Sequence, residues 1–277
     1  MKLAKILVCP KCKKSLSKKL SCNYCKKKYS FINSKPAFLK TQITSEDKLL
    51  DFFIKKAKWL IPSPSLNVYA KHNMGLLKKK LSKKSQILII GGGTQKLAKG
   101  IEILGTHLAN TVNLEIVDGP FVDVIGDAHN LPFKNNSFDL VIIQAVLEHV
   151  KYPKKVVDEI YRVLKKKGFV YAEVPFMQGV HSRPYDFQRY TLYGLQTLFE
   201  KYKLVKSGVL TGPTASVIWV VREYLSLFFS FNNKYLYYFF NFIFGWIFFP
   251  AKYLDLVLIK LKFCSNIAGA YYYIGRK

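Results

Sequence analysis

Between residues 85 and 175, short apolar runs recur at 87–90, 112–117, 122–125, 138–143 and 169–174. They are rich in Ile, Val and Phe, and runs this short suit strands buried on both faces. Helix-like stretches lie between some of them, most clearly "PKKVVDEIYRVLKK" at 153–166, with Pro153 at its start, lysines at its end and Gly168 just beyond. Strand–helix alternation commits this part of the chain to a parallel sheet covered by helices on both sides. A further helix is expected over 191–202 and a strand over 203–210. Sheets of this kind bind ligands in the crevice beyond the carboxyl ends of their strands.

The N-terminal residues follow another rule. Cys9-Pro-Lys-Cys12 and Cys22-Asn-Tyr-Cys25 form two CxxC pairs, and nine residues separate them. Each pair turns two thiolates toward one point, and two such knuckles complete a tetrahedral set suited to structural Zn²⁺. Two disulfides are the alternative; the absence of a secretory signal from the first residues favours metal. Residues 1–40 are therefore expected to form a small zinc-ribbon-like module, 41–84 a basic helical linker with a helix over 46–60, and 85–277 the large domain. Forty residues bury too little apolar surface to fold unaided, so a metal would supply the missing free energy. The fifth cysteine, Cys264, reads as an ordinary thiol.

Charge bears on partners. Forty-four Lys and Arg stand against 17 Asp and Glu, a formal net charge of +27. Such an excess suits an anionic partner, such as nucleic acid, a membrane surface or an acidic substrate. The lysines are spread along the whole chain, however, which equally fits a general compositional bias. Residues 215–263 differ from the rest, and "YLYYFFNFIFGWIFFPA" at 235–251 carries no charge. Arg222 and Glu223 in the preceding stretch argue against a simple span. Flanking lysines and abundant aromatics suit a helix pair lying at a membrane interface, with an insertion folded over the core as the alternative.

The carboxyl ends of the expected strands carry a constellation. "ILIIGGGTQ" at 87–95 places Gly91, Gly92 and Gly93 at the first turn, where a ligand can approach the backbone. The second strand ends at Glu115, placed to take ribose hydroxyls. Asp127 and Ala128 in "GDAHNLPF" could meet an adenine amine and ring nitrogen, and the fourth strand runs to Gln144 and a Leu147-Glu148-His149 turn.

In that order and spacing, residues 86–175 resemble the class I S-adenosylmethionine-dependent methyltransferases, specifically the methyltransferase type 11 branch. The resemblance rests on the glycine turn, Glu115, "GDAHNLPF", "FDLV", "VLEHV" and "EIYRVLKKKGFV". It implies an α/β, Rossmann-like doubly wound sheet of seven strands and S-adenosyl-L-methionine as cofactor. Gly91, Gly92 and Gly93 would then line its methionine part, Glu115 would hold the ribose, Asp127 and Ala128 the adenine, and Gln144 would lie beside the sulfonium. Two positions depart from the pattern: Ile89 replaces the usual acid of the first strand, and Gln95 the usual third glycine.

The loop after the fifth strand, "VPFMQGVHSRPYDFQRYT" at 174–191, offers an acceptor pocket. His181 is its candidate general base for an O-methyl transfer, with Asp186 to orient it or bind the acceptor; pairing of Arg183 with Asp186 is the plainer alternative. The leading expectation is O-methylation of a small molecule, glycan or lipid-linked sugar by a cytoplasmic enzyme peripheral to the inner face of a membrane. A tRNA or rRNA methyltransferase using the ribbon to hold RNA is the first alternative. An inactive zinc-ribbon adaptor, suggested by Ile89 and Gln95, is the second.

Overall fold

The computed structural model describes residues 3–39, 62–93, 101–182 and 184–277. The helix expected over 46–60, Gln95 and Arg183 lie outside them. Strand β3 (Ile87–Ile90) is buried along its whole length. It pairs in parallel with β4 (Thr111–Glu115) on one side and β6 (Phe138–Gln144) on the other. Its alternating side chains feed two cores. Ile87 and Ile89 join Met74 and Leu77 of α1 (Ala70–Lys78) on one face. Leu88 and Ile90 join Val156, Ile160 and Val163 of α2 (Pro153–Val163) on the other. That division is the physical content of the apolar runs.

Among the described residues the sheet has nine strands, not the seven expected. Seven of them run in the order β5 (Val124–Ile125), β4, β3, β6, β7 (Leu164–Pro175), β9 (Ala270–Arg276), β8 (Lys203–Thr211). All pairings are parallel through β7, and β9 lies antiparallel between β7 and β8. The two further strands, β1 (Ser30–Ile32) and β2 (Lys35–Ala37), come from the cysteine-bearing N-terminus. Sequence patterning had no means of assigning them, because three-residue strands have no measurable period. β2 pairs in parallel with β5 through Ala37 and Ile125.

Further bonds tie the N-terminal residues to this edge. The Val8 amide donates to Pro132 O (2.9 Å) and the Lys134 amide to Ile6 O (2.9 Å). Lys35 Nζ donates to Asp118 Oδ1 at 2.8 Å, and Lys13 Nζ to Glu159 Oε2 at 2.7 Å. Leu7 and Leu20 are buried in the same core as β3. The N-terminal knuckles thus share hydrogen bonds and apolar burial with the large domain.

Helix α2 starts at Pro153 as its sequence predicts but stops at Val163, three residues early. The cause is competition for backbone groups. Asn136 and Ser137 donate their amides to Arg162 O and Val163 O, and Leu164 turns extended to pair with Phe138. Helix α3 (Leu192–Leu198) begins at Thr191, whose Oγ1 accepts from the Gly194 amide at 3.0 Å.

The region 215–263 is a helical hairpin of α4 (Pro213–Ser230) and α5 (Lys234–Phe248), followed by α6 (Asp255–Leu258). The turn uses the left-handed residues Phe231 and Asn232, and Asn233 Oδ1 caps α5 by accepting from the Tyr235 amide at 2.8 Å. Of the two charged residues that argued against a span, Glu223 reaches across to the second helix and Arg222 is buried against its own. The Arg222 guanidinium lies 4.5 Å from the Trp219 ring centroid, and Glu223 accepts from Tyr237 Oη and Asn241 Nδ2. Apolar side chains including Val217, Leu227, Phe228, Phe239 and Ile247 face outward. The stretch Lys234–Leu258 is long and apolar enough to cross a membrane, and 11% of its apolar window is buried. The hairpin is anchored at Asp255, which is fully buried and accepts from the Thr214 and Ala215 amides at 2.8 and 3.1 Å.

The turn that receives the N-terminal residues is itself held by Arg162. Its Nη1 donates to Phe133 O at 2.6 Å and Asn135 Oδ1 at 2.9 Å, its Nη2 to Leu131 O at 2.9 Å, and its Nε to Glu159 Oε1 at 2.7 Å. Arg162→Ala is expected to cost about 2–3 kcal/mol in urea unfolding, because two carbonyls and a carboxylate lose a charged donor. Arg162→Lys should recover less than half, since one ammonium cannot reproduce the fork.

Candidate functional site

The first strand ends in a bend that only glycine can make. Gly91 and Gly93 adopt φ of +68° and +95°. A Cβ on Gly91 would stand 2.1 Å from Val146 Cγ2, and one on Gly92 would stand 2.6 Å from Ile89 Cγ2. The neighbouring strand holds the bend. Glu115 Oε1 accepts from the Gly93 amide at 2.8 Å, and Asn113 Nδ2 donates to Gly93 O at 3.2 Å and Phe121 O at 2.6 Å. Asn113 is buried; its amide donates to Asp123 Oδ2 at 2.8 Å. Sequence reasoning missed it, and an Asn inside an otherwise apolar strand was the available signal. Burial raises the Glu115 pKa, against the bonds from the Gly93 and Ile116 amides.

A cavity of about 670 Å³ opens at the carboxyl ends of β3, β4 and β6. Gly91, Glu115, Asp127 and Ala128 line it, together with His149 and Tyr185. Gly92, Gly93 and Gln144 are not among the described lining residues; the first two shape the bend, and the Gln144 side chain bonds Glu173. Asp127 stands just past β5. Its Oδ1 caps the turn Ala128–Asn130 by accepting from the His129 amide (2.9 Å), and it bonds His129 Nδ1 (2.6 Å). Leu39, at the end of the N-terminal module, also faces the cavity. A second cleft of about 580 Å³, lined by Lys11, Lys27, Lys28 and Tyr29, reaches Asp127 from the module's side.

The loop after β7 folds over the Leu147–His149 turn. Gln188 Nε2 donates to Leu147 O (3.0 Å) and Val150 O (2.5 Å), and the Phe187 amide to Glu148 O (2.8 Å). Asp186 is engaged by Arg189 at 2.5 and 2.8 Å and by the His181 amide at 2.8 Å. The Arg189 guanidinium holds the Asp186 carboxyl far below the usual range. Arg189 pairs with Asp186, and the pairing considered for Arg183 lies outside the described residues. His181 and His149 meet edge to face with centroids 4.9 Å apart. His149 Nδ1 lies 2.6 Å from Tyr185 O and so carries the proton there. Burial lowers the His149 pKa, and burial pushes the Glu148 carboxyl up to about 7.

At the other end, the thiols of Cys9, Cys12, Cys22 and Cys25 converge with all sulfurs within 4.8 Å of one another, and none is in a disulfide. Cys9 and Cys25 sulfurs are 3.5 Å apart, and Cys12 and Cys22 3.4 Å. Tetrahedral Zn–S bonds of about 2.3 Å require sulfurs about 3.8 Å apart, so the set fits the ion. Each CxxC is followed by a left-handed lysine, Lys13 or Lys26, that returns the chain. The Tyr29 hydroxyl sits 3.2 Å from Cys9 Sγ, placed to donate to a thiolate.

Residues 90–172 match the family model of a methyltransferase domain. An uncharacterized protein of Methanocaldococcus jannaschii is 35% identical over 86 residues, 31% of this chain and 42% of that protein. A demethylmenaquinone methyltransferase of Thermotoga maritima is 33% identical over 94 residues, 30% of this chain and 40% of that enzyme. The matched segments thus span about two fifths of those relatives. Among solved structures, the Burkholderia thailandensis 1,6-didemethyltoxoflavin-N1-methyltransferase with bound S-adenosylhomocysteine aligns at TM-score 0.48 and 11% identity, over 86% of this chain and 93% of that one. A complex of the Haloferax volcanii Trm112 methyltransferase activator with a methyltransferase aligns at TM-score 0.47 and 13% identity, over 82% and 94%.

One buried acid beneath the cavity gives a pH prediction. Glu173 accepts from Tyr171 Oη at 2.5 Å, and burial raises its pKa from 4.5 to about 7, against the bonds from Tyr171 and Gln144. The unfolded chain releases this proton near pH 4.5 and the folded chain only near 7, so Glu173 lowers stability progressively across that window. Glu173→Gln keeps the shape and the Tyr171 bond. It should raise unfolding stability by on the order of 2 kcal/mol at pH 8 and by little at pH 4, read from urea midpoints.

Proposed function

We propose that the chain, whose residues 90–172 match the family model of a methyltransferase domain, transfers a methyl group from S-adenosylmethionine. The observation that carries the reading is the cavity at the sheet's carboxyl edge, bounded by the glycine bend and by Glu115 and Asp127. The Glu115 oxygen not used by Gly93 would accept from the ribose hydroxyls. Asp127, whose bonded oxygen is Oδ1, would offer the other to the adenine amine, with the Ala128 amide beside it. The methionine part would run along Gly91, Gly92 and Gly93 toward the end of β6, where Gln144 stands. Ile89 leaves no acid in β3 to meet the amine end of the cofactor.

When bound, the cofactor supplies an electrophilic methyl with a good leaving group. The chain's own work is then alignment and removal of a proton. A hydroxyl acceptor entering under the loop 178–190 would meet His149 and His181, the second oriented by Asp186 through its amide. This supports His181 as the group that receives the proton and Asp186 as its positioning residue. The apolar hairpin supports an acceptor that is lipid-linked or held at a membrane surface on the cytoplasmic side. An RNA acceptor is favoured by one observation, the lysine-lined cleft that leads from the cysteine module to Asp127. Zn²⁺ at Cys9, Cys12, Cys22 and Cys25 would be structural, since four thiolates close the site.

Calorimetry with S-adenosylmethionine and S-adenosylhomocysteine tests the cofactor reading. Micromolar binding is expected, weakened about 10- to 100-fold in Glu115→Ala by loss of charge-assisted bonds. Silence of the wild-type protein at millimolar ligand would overturn it. Transfer of labelled methyl to total lipid, glycan and RNA fractions then separates the acceptors.

Metal analysis should return at least one zinc per chain. Its removal by a strong chelator, or Cys22→Ser, should lower the melting temperature, because β1 and β2 lose their support at the sheet edge. Disulfides in place of bound zinc, seen by mass spectrometry, would refute the assignment.

A further inference from the structure

Glu148 is 1% exposed, and neither carboxylate oxygen has a hydrogen-bond partner. An unpartnered buried carboxylate is costly and calls for a compensating group. Beside it stand His149 and His181, and the three residues offer donor atoms within 4.8 Å of one another. Among the described residues, this is the one such cluster apart from the four cysteines.

The His149 imidazole is arranged as a ligand is. His149 Nδ1 gives its proton to Tyr185 O at 2.6 Å, while His181 Nδ1 lies 3.2 Å from Gly179 O and 3.3 Å from Arg189 Nη2. A backbone carbonyl behind one ring nitrogen leaves the lone pair of the other free and fixes the ring plane. His149 Nε2 is 3.8 Å from Glu148 Oε1. Ligands adjacent on a divalent ion at about 2.1 Å stand about 3 Å apart, so closure of donor atoms now within 4.8 Å of one another asks for movements of up to about 2 Å. Among the described residues, Arg189 is already matched by Asp186 at 2.5 Å and leaves the carboxylate to attract a metal.

We propose that Glu148, His149 and His181 bind one divalent transition-metal ion at the edge of the cofactor cavity. Two imidazoles and one carboxylate favour Mn²⁺, Fe²⁺, Co²⁺ or Zn²⁺ over Mg²⁺. Three protein ligands leave further positions on the ion for water or for oxygens of an acceptor. His149 lines the cavity, so an acceptor oxygen on the ion would lie on the cofactor's side. The ion would lower the pKa of that hydroxyl, and the histidines would then act as its ligands while the proton leaves to water. This consequence deepens the transfer reading and rests on it; the binding of the ion does not.

The probe is Mn²⁺, titrated into the full-length protein as isolated and followed by the paramagnetic resonance of the free ion. One Mn²⁺ per chain is expected, with at least tenfold weaker uptake by Glu148→Gln and His181→Ala. Spin-echo modulation from imidazole nitrogen should appear on the bound ion. Absent uptake, equal uptake by both variants, or a bound ion without nitrogen coupling would overturn the proposal. The nitrogen signal needs only wild-type protein, so it stands even if a variant misfolds. Titration of the same samples with S-adenosylhomocysteine reports the cofactor reading separately.

Discussion

A parallel sheet buried on both faces satisfies its own backbone until a strand ends, and there the chain must find partners elsewhere. At the end of β3 those partners come from β4. Asn113 and Glu115, two residues apart and so on the same face of their strand, bond the carbonyl and the amide of Gly93. Asn113 also reaches Phe121 O, and its own amide is held by Asp123. The bend, the cavity wall and the loop leading to β5 are thereby set by one strand's side chains. Glu115 has two tasks, since the oxygen that closes the bend belongs to the carboxylate that faces the cavity.

Much of this was legible in the residues. The apolar runs located β3, β4, β5 and β6 to within two positions, because strands buried on two faces are mostly apolar, whereas β7 begins five residues before its run. Four of the residues named for the cofactor, Gly91, Glu115, Asp127 and Ala128, line one cavity. What escaped was decided by pairing at a distance. β1 and β2 exist because β5 offers an unpaired edge, and three residues hold no period to reveal that. The early end of α2 follows from amides at 136 and 137 that arrive from another part of the chain. Glu148 looked like part of a helix-start turn; only the loop from 178 to 190, folded over it, makes it a buried acid.

The helical hairpin shows how a polar minority disciplines an apolar segment. Glu223 is spent between its helices and Arg222 is buried over the Trp219 ring, so its outward face is left almost wholly aromatic and aliphatic. Asp255 then fixes the base of the pair to the start of α4. This carboxylate closes the two ends of the helical region on each other, whereas the exposed side chains decide what the hairpin meets.

The pairing of β2 with β5 joins two ends of the chain's chemistry. Ala37 bonds to the strand that, two residues later, delivers Asp127 to the cavity, and Leu39 continues from the same segment into the cavity wall. An ion in the cysteine knuckles and a nucleoside at Asp127 would occupy linked equilibria. Whatever order the first imposes on this edge is order the second no longer has to create, and the favour is returned in equal measure. Methyl transfer in such a protein would answer to the cell's supply of metal as well as to its supply of methyl donor.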